Sequence, residues 1–306
     1  MTKPAPGHLG PGRVRRRWRP TVIHIASALL VWIGLLVFSY PEVAAWISQY
    51  NQSRIVADYS EAIDDSKPGR LEQLAAADEY NSALSAGAVL EAGANIAVGN
   101  GTLAEGITSY YQQLSAFPGA PMARLKIPSI DLDLPVYHGT SDETLLRGLG
   151  HLEGTSLPVG GLGTKSVITG HRGLASATMF TNLDGVKVGD KFVVEVFQEV
   201  LTYRVVESRV VEPDETAALL PEPGRDLFTL VTCTPLGINT HRILVTGERV
   251  TPTPQVDVES AGADPTLPHF PWWAVTVSAG TLLVAMYLWR GGYEPSRPKR
   301  GRVSRV

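Results

Sequence analysis

Cysteine is almost absent from this 306-residue chain: Cys233 is the only one, so no internal disulfide can form and a disulfide-stapled scaffold is excluded. Clusters of histidine, cysteine and carboxylate at metal-ligand spacing are absent as well. Asp131 and Asp133 are close in sequence, but with no neighbouring ligands they read as a solvated strand face rather than a calcium site. No metal or other cofactor is expected. The glycine run Gly160-Gly161-Leu162-Gly163 lacks a following Gly-Lys-Ser/Thr and a strand-loop-helix setting, so it reads as a turn and not as a phosphate cradle. There is no internal repeat. Charged residues make up only 19% against 44% apolar, an ordinary globular balance that excludes wholesale disorder and a collagen-like chain.

The charge that is present is unevenly placed. Residues 1–20 carry six Lys/Arg and no acid, and residues 290–306 carry six more against the single Glu294. The stretch 41–270 is left with 15 basic and 29 acidic residues. Between the basic ends and the acidic middle lie the uncharged runs Val22–Tyr40 and Trp272–Trp289, each near the roughly 20 residues that cross a bilayer core as a helix. Trp18, Tyr40 and Trp46 flank the first, and Trp272, Trp273 and Trp289 the second, as expected where amphipathic rings meet headgroups. The positive-inside bias predicts a two-span membrane protein with both termini cytoplasmic and 41–270 extracellular. A cleaved signal peptide is the rival for the first span. Its apolar run exceeds the usual 7–15 residues and no clean small-x-small site follows, which favours a retained helix. The terminal arginines are accounted for by topology, so no nucleic-acid partner is expected.

The acidic middle falls into a helical and a β-prone region. Residues 41–121 are rich in Ala, Glu, Gln and Leu with helical spacing (Ile55, Tyr59, Ile63; Leu71, Leu74), which predicts a helical collar or a plain spacer. Ser66-Lys67-Pro68-Gly69 divides it into two helices. A glycine-rich loop, Glu91–Gly101, precedes a last short helix around Leu103–Leu114. Residues 122–250 are instead short β-prone runs bounded by turns: Ala123–Ile127, Leu132–Tyr137, Ser166–Thr169, Lys191–Phe197, Leu201–Val211, Leu227–Thr232 and Arg242–Val250. That spacing predicts a mainly β barrel or sandwich. Residues 251–271 form a Thr/Pro-rich linker to the second span.

Chemistry centres on Cys233, at the end of one β-prone run and a short loop before the next. If the hairpin is symmetric about Leu236–Asn239, Cys233 pairs with Arg242, and a thiol and a guanidinium share one face of a sheet with Cβ atoms about 5 Å apart. A thiol becomes a nucleophile with the help of an imidazole or a cation, and arginine can donate to the oxyanion of acyl transfer without losing its own proton. Of the seven histidines, His8, His24 and His269 fall on or beside the membrane segments. His171 follows the run Lys165–Gly170 at a strand exit, a good place for a catalytic side chain. Alternation turns His241 away from Cys233. His138 and His151 read as surface histidines on turns.

Thr229-Leu230-Val231-Thr232-Cys233-Thr234-Pro235, with Asn239-Thr240-His241-Arg242 following and Thr169-Gly170-His171-Arg172-Gly173 upstream, resembles the sortases. The stretch Cys233–Arg249 is most similar to class C, the pilus-assembling branch. The likeness spans about Met122–Val250, and the two-span layout agrees with it. It implies an eight-stranded β-barrel with an N-terminal helical collar and flanking transmembrane helices, and a cysteine transpeptidase acting on Leu-Pro-x-Thr-Gly signals of pilins or surface proteins. Cys233 would be the nucleophile, His171 the general acid or base, Arg242 the oxyanion and positioning residue, and a pilin lysine the acceptor. Class C members carry an Asp-Pro-aromatic lid motif. Leu90–Ala104 has none, and Ile96 and Val98 are the apolar residues there that could plug a site. Two rivals stand: a sortase of another subclass that uses a peptidoglycan-precursor amine, and a membrane-tethered binding barrel with Cys233 merely buried.

Overall fold

The computed structural model describes residues 18–64, 69–84, 88–90, 97–99 and 109–293. Helix α1 (Val22–Asp64) runs through Pro41, and α2 (Arg70–Ala83) follows the predicted break at Pro68-Gly69. Strands β1 (Ala88–Leu90) and β2 (Ala97–Gly99) pair antiparallel, so the segment read as a glycine-rich loop, Glu91–Gly101, contains the second strand of a small ribbon. Ile96 and most of the proposed lid lie outside the described residues. The predicted helix at Leu103–Leu114 is, over its described residues, a single 3-10 turn at Tyr110–Gln112.

The remaining strands are β3 (Ala123–Ile127), β4 (Leu132–His138), then after helix α3 (Asp142–Arg147) β5 (Leu149–His151), β6 (Thr164–Thr169), β7 (Lys191–Val196), β8 (Glu199–Val211), β9 (Asp226–Thr234) and β10 (His241–Arg249). They close into an eight-stranded barrel in the order β10-β8-β7-β3-β4-β5-β6-β9. All pairs are antiparallel except β4 with β5 and β6 with β9. Seven strands coincide with the predicted runs to within a few residues; β5 is the one the pattern did not reveal.

Two-residue periodicity sorts the side chains. Phe192, Val194 and Val196 of β7, Phe228 and Leu230 of β9, and Ile243 and Val245 of β10 fill the barrel interior. The outward residues of the same wall, Val167, Val231 and Leu244, form a second cluster with Ala218 and Leu219 from the β8–β9 connection. The collar is no mere spacer. Tyr59, Ile63, Ala77 and Tyr80 belong to the main core. Tyr59 donates to the Met122 carbonyl at 2.9 Å, and Asn81 both donates to and accepts from Leu157.

After β10 the linker, including α4 (Gln255–Glu259), lies along the barrel. Thr253 donates to the Val200 carbonyl at 3.1 Å, and Thr202 to Asp257 at 2.7 Å. Lys126 and Arg124 donate to the carbonyls of Ser260 (3.2 Å) and Ala263 (2.8 Å), and Ser53 to that of Leu267 (2.6 Å). Under this strap sits an ion network. Arg124 is fully buried and holds Asp133 with two bonds of 2.7 and 2.6 Å and Glu195 at 3.3 Å, while Lys126 also donates to Glu195. Asp133 is therefore no solvated face. Asp131, exposed in a left-handed turn, is.

Among the described residues, 18–40 and 271–293 belong to one compact unit and 41–270 to another. In the former the apolar start of α1 packs on α5 (Trp272–Gly291), with Leu35 against Gly280, where a Cβ would lie 2.4 Å from Leu35 Cδ2, and Trp32 donating to Thr281 at 3.2 Å. Both helices are long and apolar enough to anchor the chain in a membrane.

Candidate active site

Three strands bring the site together, and their register does the placing. Between β9 and β10 the pairs run from Leu227 with Glu248 to Thr234 with His241, so Cys233 faces Arg242 as the symmetric hairpin requires. The loop closes through Gly237 and Asn239, both in the left-handed region, with the Asn239 amide donating to the Pro235 carbonyl at 2.9 Å. On the other side β6 runs parallel to β9 with a constant offset, Thr164 with Asp226 through Thr169 with Val231. The Gly170 amide donates to the Val231 carbonyl at 3.1 Å, and Thr232 donates to the Gly170 carbonyl at 2.7 Å. Continuing the offset sets His171 beside Cys233 and Arg172 beside Thr234, and the latter is a hydrogen bond of 2.9 Å.

Face as well as level is settled by this register. Thr229 and Thr246 are cross-strand partners whose hydroxyls lie 3.1 Å apart, so the row Thr229, Val231, Cys233 shares a side with Thr246, Leu244, Arg242. The outward cluster of Val231 and Leu244 marks that side as the outer wall. Cys233 and Arg242 thus continue an outward row, and neighbouring strands are about 4.8 Å apart. Gly170 allows the exit: a Cβ there would lie 2.7 Å from both Leu149 and Phe180. His241 turns away and lies 3.1 Å from Glu212, as alternation predicts.

Cys233 is nearly buried and Arg242 is buried, the latter with Nη1 donating to the carbonyls of Asn239 (2.9 Å) and His241 (3.1 Å). Burial pushes the Cys233 thiol pKa up, with the Arg242 charge opposing. Burial pushes the half-exposed His171 down, with Asp142 opposing. Both directions favour an uncharged thiol and imidazole at rest, with Arg242 supplying a fixed positive charge beside them. Such a set can hand a proton from sulfur to nitrogen as a carbonyl is attacked.

His138 and His151 are not surface histidines. His151 lies on β5, fully buried, with Nδ1 at 2.9 Å from the Tyr110 hydroxyl and Nε2 at 2.9 Å from the Ser156 carbonyl. His138 bonds the Gln113 carbonyl at 2.7 Å. Desolvation lowers His151 to about 4 and lowers His138 as well. A histidine held neutral by the fold favours folding fully above its unfolded value near 6.5, and that contribution is lost as pH falls toward the folded value. For His151 the loss amounts to about 3 kcal/mol between pH 6.5 and 4. Thermal unfolding of the full chain in detergent should show the melting temperature falling across this window, with the fall reduced in His151→Gln. A flat profile would contradict it.

Sequence reasoning singled out Cys233, His171 and Arg242; the structure pairs Cys233 with Arg242 across β9 and β10, and His171 follows the end of β6, two residues past the last β6–β9 pair. The same reasoning passed over Arg172, whose guanidinium bonds two separate segments, at Thr181 and Asp184 and at Thr234; the only sign was its position next to His171.

A cysteine on the wall of a closed barrel, facing an arginine across a hairpin and neighboured by a strand that exits at a histidine, is an arrangement suited to cysteine-dependent acyl transfer. A Sortase domain model matches residues 125–250. Sortase D of Bacillus subtilis is 28% identical over 130 residues, which cover 42% of this chain and 63% of that protein, so the chain spans less than two thirds of this curated relative. Sortase C-1 from Actinomyces oris is 45% identical over 59% of this chain and 97% of that structure, with a TM-score of 0.52. Sortase A from Corynebacterium diphtheriae is 40% identical over 69% of this chain and 95% of that structure, with a TM-score of 0.56. The chain belongs to the sortase family of cysteine transpeptidases.

Proposed function

We propose that this sortase is a class C enzyme that polymerises pilin subunits at the cell surface. The observation that carries the acyl-transfer chemistry is the β9–β10 register that faces Cys233 with Arg242; the β6–β9 offset, continued two residues past Thr169, brings His171 level with Cys233. Cys233 Sγ attacks the threonine carbonyl of a Leu-Pro-x-Thr-Gly signal while His171 takes the thiol proton. Arg242 stabilises the oxyanion. The Thr–Gly bond breaks, His171 returns the proton to the departing glycine amine, and a thioester to Cys233 remains. A pilin lysine amine then attacks the thioester, loses its proton to His171, and leaves an isopeptide bond and a restored thiol.

Support for class C comes from the collar packed into the barrel core, the second apolar helix and the likeness to the Actinomyces oris sortase C-1. The likeness to the Corynebacterium diphtheriae sortase A supports a second reading, attachment of single surface proteins to a peptidoglycan-precursor amine. In either reading α1 and α5 anchor the chain, both basic termini are cytoplasmic, and the barrel works outside the membrane.

Intact mass of the full chain in detergent tests the reading. After incubation with a Leu-Pro-x-Thr-Gly peptide, the wild type should gain an acyl adduct that Cys233→Ala does not. Passage of the acyl group to a lysine-bearing pilin fragment is the expected result. Transfer only to a cross-bridge amine would overturn the class C assignment, and a slowly labelled thiol with no adduct would favour a binding barrel.

A further inference from the structure

We infer that Arg172 is a positioning residue that braces the His171 loop against the strand end carrying Cys233; the inference rests on the acyl-transfer reading of that site and adds a residue to it. Its guanidinium reaches three acceptors on two pieces of chain: Nε to the Thr181 carbonyl at 3.2 Å and Nη2 to Asp184 Oδ2 at 2.5 Å on the turn after the loop, and Nη1 to Thr234 Oγ1 at 2.9 Å at the end of β9. The Arg172 side chain is only 10% exposed, its bonds to Thr181 and Thr234 are part-buried, and Asp184 is open to solvent.

The loop it steadies has few other holds. The β6–β9 ladder ends with the Gly170 amide, and His171 follows with its carbonyl bonded by the Phe180 amide at 2.9 Å. Gly173, at φ +78°, is fixed by Thr181 Oγ1 at 3.1 Å and lies against Leu236 of the β9–β10 loop, where a Cβ would come within 2.7 Å. These bonds tie the loop to itself. Two side-chain bonds tie it to the residues flanking Cys233: Thr232 to the Gly170 carbonyl at 2.7 Å, before His171, and Arg172 to Thr234 at 2.9 Å, after it. A planar fork with five donors holds both ends at a fixed separation, whereas a lysine ammonium is a single point that cannot span them. Geometry of this kind sets the thiol–imidazole distance, and a misplacement of about 1 Å can cost on the order of 100-fold in rate.

Arg172→Gln, Arg172→Lys and Thr234→Val, made in the full chain in detergent, test the brace with two readouts. The first is the pH dependence of Cys233 alkylation by iodoacetamide, which needs no sorting peptide; His171→Ala identifies the limb of the profile that depends on the imidazole. The second is steady-state cleavage of the peptide. Arg172→Gln and Thr234→Val should each lose the imidazole-dependent limb and lower kcat about 10- to 100-fold with KM within about twofold, and lysine should not restore either. A wild-type alkylation profile in Arg172→Gln, or a loss of activity that only follows a lowered melting temperature, overturns the brace. Should Arg172→Gln not fold, Thr234→Val, which keeps the side-chain shape, decides alone. If even the wild type leaves the peptide uncut, the functional reading fails while the alkylation profile still decides the role of Arg172.

Discussion

Replacing Arg242 by glutamine should lower kcat/KM for a sorting peptide by roughly 100- to 1,000-fold, the range found when one preorganised oxyanion donor is removed. The expectation follows from position: Arg242 is the cross-strand partner of Cys233, is buried, and has its fork oriented by the carbonyls of Asn239 and His241. A charge held this way needs no reorganisation when the carbonyl oxygen turns negative, and partial burial strengthens its field. Arg242→Lys keeps the charge but loses the fork, so it should recover only a small fraction of the rate. The effect belongs in kcat, because the oxyanion exists only beyond the ground state. Peptide kinetics on both variants check this. Near-wild-type kcat in Arg242→Gln would assign the donor role to another group.

The largest effect on stability is expected at the other charged cluster. Arg124→Met strands Asp133 and Glu195 beneath the strap, and removing one partner of a buried ion pair costs about 3–5 kcal/mol. Lys126 remains for Glu195 but is the cross-strand partner of Asp133 without bonding it among the described contacts, so Asp133 bears most of the loss. Removing both members in Arg124→Met with Asp133→Leu should recover much of the stability, since an ion pair replaced by apolar groups of similar size is often neutral. Thermal unfolding of the two variants in detergent measures the difference. Equal melting temperatures for Arg124→Met and the wild type would mean that the network contributes nothing net.

Much of the site was legible because hairpin symmetry and strand parity are simple rules. Cys233 opposite Arg242 followed from the loop, and the rejection of His241 from alternation alone. What stayed hidden has a common cause: alternation reports which residues share a side, not whether that side is covered. Leu132-Asp133-Leu134 alternates as a half-exposed strand should, yet the outer side of β4 at Asp133 lies under residues 260–263. His151 was misread for a related reason. Leu149-Gly150-His151 is too short and too rich in glycine to announce a strand, so the burial of its histidine had no local signal. Arg172 was visible only as a motif neighbour, because its three acceptors lie 9, 12 and 62 residues away in sequence.

The strap over the barrel also decides how the domain meets mechanical load. A pull entering at Phe270 does not reach the end of β10 directly. It first meets the His269 carbonyl held by Trp46 at 2.9 Å, then the carbonyls of Leu267, Ala263 and Ser260 held by Ser53, Arg124 and Lys126. These bonds are spread along the segment and anchored on α1 and β3, so tension is shared among several attachments before any of it can peel β10 from its neighbours. The hairpin β9–β10 is thereby insulated from force that enters the domain through Phe270.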